Sequence, residues 1–398
     1  MKRIYIPLIF LCHLCFFNVS EVRAQSSLED EVKGMKVQLE MMQNKINQLE
    51  AKVLNQQTQM DQKVTTARAP TSKWTPEIGV VADTVLTSSS SKVDENGANR
   101  LSLRELELVL GSNVDPYSRL DATISFSDTE NPSLEEAYLT RFALPLDVTA
   151  RVGKFKPKIG KVVGAHRDSL DTVDEPLVIQ RYFGAEGMNK SGLDFTKTLS
   201  LPWPVTQQLV FGVLEGGNGD GGTAFGTVRR APTVYSHLKN YMDLSDTTGF
   251  EFGLSHMAGS GGDQPGFNVQ VLGADMTLIQ HFGSVQTLKW QNEVFNLNRQ
   301  KSVDVDGNLW GAYGLLDYHF YPQWSVGGRY DYAQLVNNPR TNPHSADLGQ
   351  TGYLTFYQSE FARWRFQYTH TNFATGKDDH AVYLQGTFAI GDHKHKLQ

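Results

Sequence analysis

Hydrophobic and polar positions change rhythm twice along this 398-residue chain. The first 24 residues hold one apolar run, Ile4 to Phe17, behind Lys2 and Arg3, and end in the small-residue context Val22-Arg23-Ala24. That order predicts a cleaved secretory signal over 1–24, too short and too soon followed by polar sequence to span a bilayer as a helix. Leu28, Val32, Met35, Leu39, Met42, Ile46, Leu49, Val53, Gln56 and Met60 then keep a 4-3-4-3 spacing. A seam of period 3.5 predicts a coiled-coil helix over 25–62, with Val32, Met35, Leu39, Met42, Ile46, Leu49 and Val53 as its oligomerisation face. The helix would be about 50 Å long at 1.5 Å per residue. The same stripe also suits a single helix lying on the protein's own surface, and its mixed core residues do not choose between two and three strands. Residues 63–73, with Thr65, Thr66, Pro70 and Ser72, read as a linker.

From Trp74 the period becomes two. Leu120, Ala122, Ile124 and Phe126 alternate with Arg119, Asp121, Thr123 and Ser125; Trp364, Phe366 and Tyr368 alternate with Arg363, Arg365, Gln367 and Thr369. One face of such a strand accepts hydrocarbon and the other accepts charge. Sixteen segments of this kind are expected near 76–87, 99–113, 117–127, 133–143, 148–155, 187–199, 205–215, 228–241, 248–257, 267–280, 285–299, 306–321, 324–335, 347–359, 361–373 and 380–391. An even number of roughly ten-residue amphipathic strands predicts an all-β fold, a 16-stranded antiparallel transmembrane β-barrel over 74–391 in a bacterial outer membrane. A barrel of that size encloses a water-filled lumen. Tight connections (Asn113 to Pro116, Leu144 to Leu146, Tyr321 to Gln323) alternate with longer polar ones (Ser88 to Ala98, Gly216 to Gly222, Gly259 to Gly266, Asn337 to Ala346), as periplasmic turns and outer loops should. The charged end 392–398 departs from the aromatic residue on which such barrels usually finish. His393 and His395 within it read as solvated rather than metal-binding, as the glycine-rich 216–222 reads as a surface loop and not a calcium repeat.

Composition agrees. Cys12 and Cys15, the two cysteines, both lie in the signal, so an exported chain must be held by ladders and packing and not by disulfides. Hydrophobic residues make up 40%, low for helical membrane proteins and suited to a wall in which every second residue is wet. Residues 69–398 hold 28 Lys+Arg against 36 Asp+Glu, which excludes the basic field of a nucleic-acid binder.

One connection stands apart. Arg151-Val152-Gly153-Lys154-Phe155-Lys156-Pro157-Lys158-Ile159-Gly160 opens about thirty residues that end near Glu175-Pro176-Leu177-Val178-Ile179-Gln180-Arg181. This stretch resembles the third loop of the phosphate-selective porin O and P family, in which a G-K/Q-F-K-x-P-x-G motif opens the loop and a short run ending in Arg closes it. The resemblance is specific over 151–181 and otherwise one of architecture. It implies a homotrimeric outer-membrane channel of sixteen-stranded subunits, with loop 156–186 folded into each lumen as a constriction and arginines and lysines selecting anions. Arg151, Lys154, Lys156, Lys158, Lys161, Arg167 and Arg181 then become the candidate constriction cations. Asp168, Asp171, Asp174 and Glu175 would oppose them across a narrow aqueous gap, setting up a transverse field. By the alternation, Arg119, Asp121, Arg141, Asp317, Arg329, Arg363 and Arg365 line the lumen, together with Glu105, Glu107, Lys289, Glu293 and Asp331. That charge is mixed, whereas a phosphate track calls for continuous guanidinium forks. The expected function is therefore passive diffusion of small hydrophilic solutes, with anions or phosphate favoured only as the resemblance implies.

No enzyme is expected. Gly-x-Ser-x-Gly and His-Glu-x-x-His are absent, and Ser255-His256 are strand neighbours facing opposite ways. No metal or cofactor is expected; the partners are lipid, solute and further copies of the chain. The alternative is a structural barrel used as an envelope tether through its coiled coil.

Overall fold

The computed structural model describes residues 76–391 apart from 91–99, 129–130, 200, 218–223, 227–230, 262–265, 267, 303–304 and 337–345. The expected signal, coiled coil with its oligomerisation face, linker and charged tail all lie outside the described residues.

Sixteen antiparallel strands follow one another around a single closed sheet: β1 (Glu77–Ser89), β2 (Arg100–Asp115), β3 (Ser118–Phe126), β4 (Ser133–Leu144), β5 (Val148–Phe155), β6 (Lys190–Leu199), β7 (Thr206–Leu214), β8 (Thr233–Ser245), β9 (Thr248–Ser260), β10 (Asn268–Phe282), β11 (Gln286–Ser302), β12 (Val305–Tyr321), β13 (Trp324–Gln334), β14 (Ala346–Ser359), β15 (Ala362–Asn372) and β16 (Asp378–Gly391). β16 returns to β1 from Gly79 opposite Gly391 to Ser89 opposite Ala381, so neither strand is left as an edge. Closure satisfies the backbone in a medium that offers no hydrogen bonds. The expected all-β barrel and its strand number are what the chain adopts.

The two-residue period sorts the wall. Leu120, Trp310, Leu316, Trp364 and Phe366 stay exposed on the outer face, while Asp121, Asp317, Arg363 and Arg365 turn inward and are buried. Aromatic pairs such as Trp324 with Phe356 (4.7 Å between centroids) and Trp364 with Phe388 (5.3 Å) ring the outer face towards the short-turn end. Aromatic belts of this kind suit a membrane interface.

β4 breaks the alternation. Its register against β3 shifts so that Thr123 faces Glu136 while Ile124 faces Leu134. The extra residue is Glu135, and Glu135 and Glu136 are both buried. A bulge reverses the phase of everything after it. Arg141 therefore pairs with Ser118, in phase with the outward Leu120–Leu139 pair, and bonds Asp115 at 3.1 Å at the rim. The expectation that Arg141 lines the lumen is corrected by that bulge.

The lumen is not empty. The long β5–β6 connection, residues 156–189, folds inside the barrel and carries a six-residue helix, α1 (Leu177–Tyr182). Its Ile159, Val163, Leu170, Val178, Ile179 and Phe183 join Tyr235, Met257, Val271, Phe295, Leu297, Tyr313 and Leu315 of the wall in one apolar cluster. Gly311 makes the closest approach possible: a Cβ there would lie 2.3 Å from Val178 Cγ2. Each such buried aliphatic or aromatic side chain contributes about 1.5–3 kcal/mol.

A charge on the outward face should be costly. Phe366→Arg, midway along β15 on the face where Phe366 is 51% exposed, is expected to destabilise folding into vesicles by about 2–4 kcal/mol. Denaturant titration in lipid checks this; no change would mean that the outward face meets water.

Candidate functional site

The inward loop is fastened to three sectors of the wall. It first crosses to β9–β11. Gly160 adopts φ +57, where a side chain is strained, and a Cβ on it would meet the Glu293 carboxylate, so glycine is favoured. The bare backbone donates from Gly160 N to Ser255 Oγ (3.1 Å) and from Lys161 N to Glu293 Oε1 (3.0 Å). The Lys161 ammonium bonds Glu251 and lies 3.5 Å from Asp275. Burial, then the nearby Lys239, lowers the pKa of Lys161, while Asp275 holds it up. Ser255 does have a histidine partner, though not His256: His237 Nδ1 lies 2.9 Å away on the neighbouring strand. Both side chains are buried beneath the loop, and the pair acts as a peg for Gly160.

The chain then turns back to β2–β4. His166 is buried between carboxylates, Nδ1 3.4 Å from Glu107 and 3.6 Å from Glu135, Nε2 3.2 Å from Glu136. Burial and Lys156 push its pKa down, but the hydrogen bonds to Glu107 and Glu136 outweigh them and raise it to about 10. Lys156 donates to Ala165 O at 3.1 Å. Burial lowers its pKa, and Glu135, Glu105, Glu107 and Glu175 more than restore it. Arg167 bonds Glu186 at 2.6 Å and lies 3.9 Å from Glu175, whose own pKa burial raises. Asp168 is buried in this stretch of the loop.

Residues 170–175 cross to β13–β16. Arg363 and Arg365 both donate to Leu170 O, at 3.5 and 3.0 Å; Arg365 also donates to Thr355 Oγ1 and Gln385 Oε1. Val173 N bonds Gln367 Oε1 at 2.7 Å, and Val173 O accepts from Arg104 at 2.6 Å. Arg329 clamps Asp174 (3.3 Å) and Asp331 (2.7 Å) together. Asp171 pairs with Lys289 at 2.7 Å, and Arg181, past the crossing, with Asp347 at 2.8 Å.

The loop ions expected to oppose one another across a gap are largely bound to the wall instead. Arg151 forms a two-pronged pair with Asp194, to which Tyr235 also donates at 2.8 Å, and rests on Phe155 at 4.4 Å. Lys158 reaches Thr196 Oγ1 at 3.3 Å, its pKa lowered by burial and then by Arg151. Lys154 departs from expectation: β5 continues to Phe155, so Lys154 still obeys the alternation, shares the outward phase of Val152 and bonds Leu134 O at 2.7 Å. Arg119 pairs with Glu77 and Asp121, and Asp317 accepts from Tyr353 at 2.9 Å. Arg104, Asp171, Asp174 and Lys289 keep side chains 21 to 29% exposed, and so border the water left beside the crossing. His166 and the doubled Glu135-Glu136 were not legible as site residues, because their role depends on a bulge and on a loop returning to a strand it does not follow.

Among the described residues, ligating atoms of Glu107, Glu135 and His166, and of Glu105, Glu135 and Glu186, come within 4.8 Å of one another, close enough to hold a metal. Imidazolium, Lys156 and Arg167 already supply cations there, and a protonated imidazole offers no lone pair to a metal.

No family model matches the chain. It is 26% identical over 339 residues to an uncharacterised protein of Aquifex aeolicus, covering 75% of this chain and 70% of that one. Its fold is similar to an anion-selective porin from Comamonas acidovorans (11% identity, TM-score 0.54, 79% of this chain and 99% of that one). Likewise similar are OprB of Pseudomonas putida (8%, 0.54, 79% and 94%) and the trimer form of the outer membrane protein OmpT of Vibrio cholerae (11%, 0.52, 79% and 99%). At these identities the likeness is one of fold.

The His166 clasp has a testable pH signature. A histidine whose folded pKa lies above its ordinary 6.5 stabilises fully below 6.5, and that contribution is lost as pH rises through about 10. His166→Gln should lower the thermal midpoint at neutral pH, and the gap from wild type should close above the raised pKa. A gap independent of pH would mean that the imidazole packs as a neutral group.

Proposed function

We propose that this protein is an outer-membrane porin, a passive channel for small hydrophilic solutes, with loop 156–186 as its constriction and a preference for anions. One observation carries the reading. A closed wall, apolar outside and charged inside, is crossed by a loop that leaves a wet margin at Arg104, Asp171, Asp174 and Lys289. Water-exposed charges in a narrow, low-dielectric passage select solutes by charge and size. The four groups at that margin balance, so the bias towards anions is assigned to the field of Arg363 and Arg365, which are buried behind Leu170 and act on the passage through a low-dielectric wall. Bidentate phosphate capture, as the resembled family implies, is the narrower form of the same proposal. The similarity of fold to a porin described as anion-selective agrees with the preference for anions and says nothing of phosphate.

Planar-bilayer recording tests the channel. Wild-type protein should conduct in small steps with a reversal potential on the anion side of a salt gradient. Exchanging residues 169–175 for a short Gly-Ser link should raise the step several-fold, and Arg363→Gln with Arg365→Gln should move the reversal potential towards cations. Protein that inserts and never conducts contradicts the channel; an unchanged step contradicts the constriction.

The segment 25–62 is proposed as a clamp on a homotrimer, on the strength of its heptad seam. Deleting residues 28–60 should turn trimers into monomers on native gels while conductance persists. Intact trimers with a detached envelope would favour the tether instead.

A further inference from the structure

Two depressions adjoin on the outer face of the wall between β7 and β12. The lower, of about 580 Å3, is lined by Leu209, Leu238, Leu254, Leu272 and Trp310, and exists because Ser236 and Ala274 among them are short. The upper, of about 380 Å3, is lined by Asn268, Gln270, Asn298, Gln300 and Asn308 with Gly307. The register places them one above the other. Leu272, Asn296 and Trp310 lie abreast on three strands, and Gln270, Asn298 and Asn308 lie abreast in the next outward row towards the long-loop end. Asn296 donates to Asn308 Oδ1 at 2.7 Å, joining the rows.

This pairing is unlike the rest of the wall. Carboxamides in place of aliphatic side chains are a cost where acyl chains alone pack against a strand. Among the described residues neither depression is lined by a Lys, Arg, Asp or Glu, His256 being the titratable side chain there, whereas the outer face elsewhere towards this end carries a carboxylate, as in Asp378 beside His370 at 3.8 Å. An anionic headgroup would want cations, and bulk water would accept any ion. Uncharged carboxamides, each both donor and acceptor, instead complement hydroxyl groups.

We propose that this face seats a glycolipid, with an acyl chain in the lower groove and an uncharged saccharide head on the amide shelf above it. The inference rests on the outer-membrane reading for its orientation, since the shelf then lies at the outer leaflet. Trp310, at the junction, presents an apolar ring and an N–H to the two parts of such a ligand.

Native mass spectrometry of the full-length protein, delipidated and exchanged in mild detergent, tests this. The two probes are a digalactosyl diacylglycerol, whose head is uncharged sugar, and an anionic phosphatidylglycerol with the same acyl chains. Wild type should retain the sugar-bearing probe about tenfold better, the equivalent of one or two net hydrogen bonds. Ala274→Trp, which fills the groove, should lose retention of both; Gln270→Leu with Asn298→Leu should keep phosphatidylglycerol and lose the discrimination. Equal retention of the two probes by wild type overturns the saccharide seat, and unchanged retention by Ala274→Trp overturns the acyl groove. Should Ala274→Trp fail to give a heat-modifiable barrel, the wild-type comparison still decides. Disulfide-linked pairs formed by Gln270→Cys would make this face a contact between copies and overturn the proposal. Loss of the outer-membrane reading would show separately, as protein absent from the outer-membrane fraction.

Discussion

The constraint on which the rest depends is that backbone groups facing hydrocarbon have no solvent to bond. A strand edge left open there would leave a row of amides and carbonyls unpaired, each at a cost of several kcal/mol. The pairing of β1 with β16 removes that edge, and everything inside follows. Once the ladder closes, side chains alternate between lipid and lumen by geometry, and the polar face of the strands acquires an interior in which its groups meet.

That interior would be broad in a barrel of sixteen strands, and the β5–β6 connection divides it. On the side of β7–β13 the loop is held by an apolar cluster, which needs no exact partners and makes the attachment strong. From β13 round to β4 it is held by buried polar groups that need exact partners: His166 among three glutamates, Arg329 between Asp174 and Asp331, Arg365 on Leu170 O. Buried ions left without partners are far more costly than surface ones, which ties each of these loop residues to a particular place on the wall. A loop fixed on both flanks keeps one position across the lumen.

The sequence made the wall readable because period two survives any error in where a strand begins. The same simplicity made it blind to Glu135, the one extra residue that reverses the phase of β4 and moves Arg141 to the outside. Lys154 illustrates a boundary effect: the loop motif begins inside β5, so its first lysine is still governed by the strand. The loop's cations were visible as residues, but their partners were not. Glu251 and Asp347 lie 90 and 166 residues along the chain from Lys161 and Arg181, and only the loop's return into the lumen brings them near, while Asp194 faces Arg151 across the β5–β6 ladder. Ser255 shows the same limit. Its chain neighbour His256 points away, and its actual partner, His237, comes from across a turn. The valines and isoleucines of 159–179 were the overlooked signal, since a loop destined for water alone has no use for them.

The direct test of a wall that is wet only inside uses single cysteines, because Cys12 and Cys15 both precede the barrel. Cysteine at position 171 or at position 366, each treated with a charged, membrane-impermeant thiol reagent during bilayer recording, separates the two faces. Rapid block of current at 171 with none at 366 is the expected result. Block at 366, or equal indifference at both, would mean that the charged face does not enclose the path.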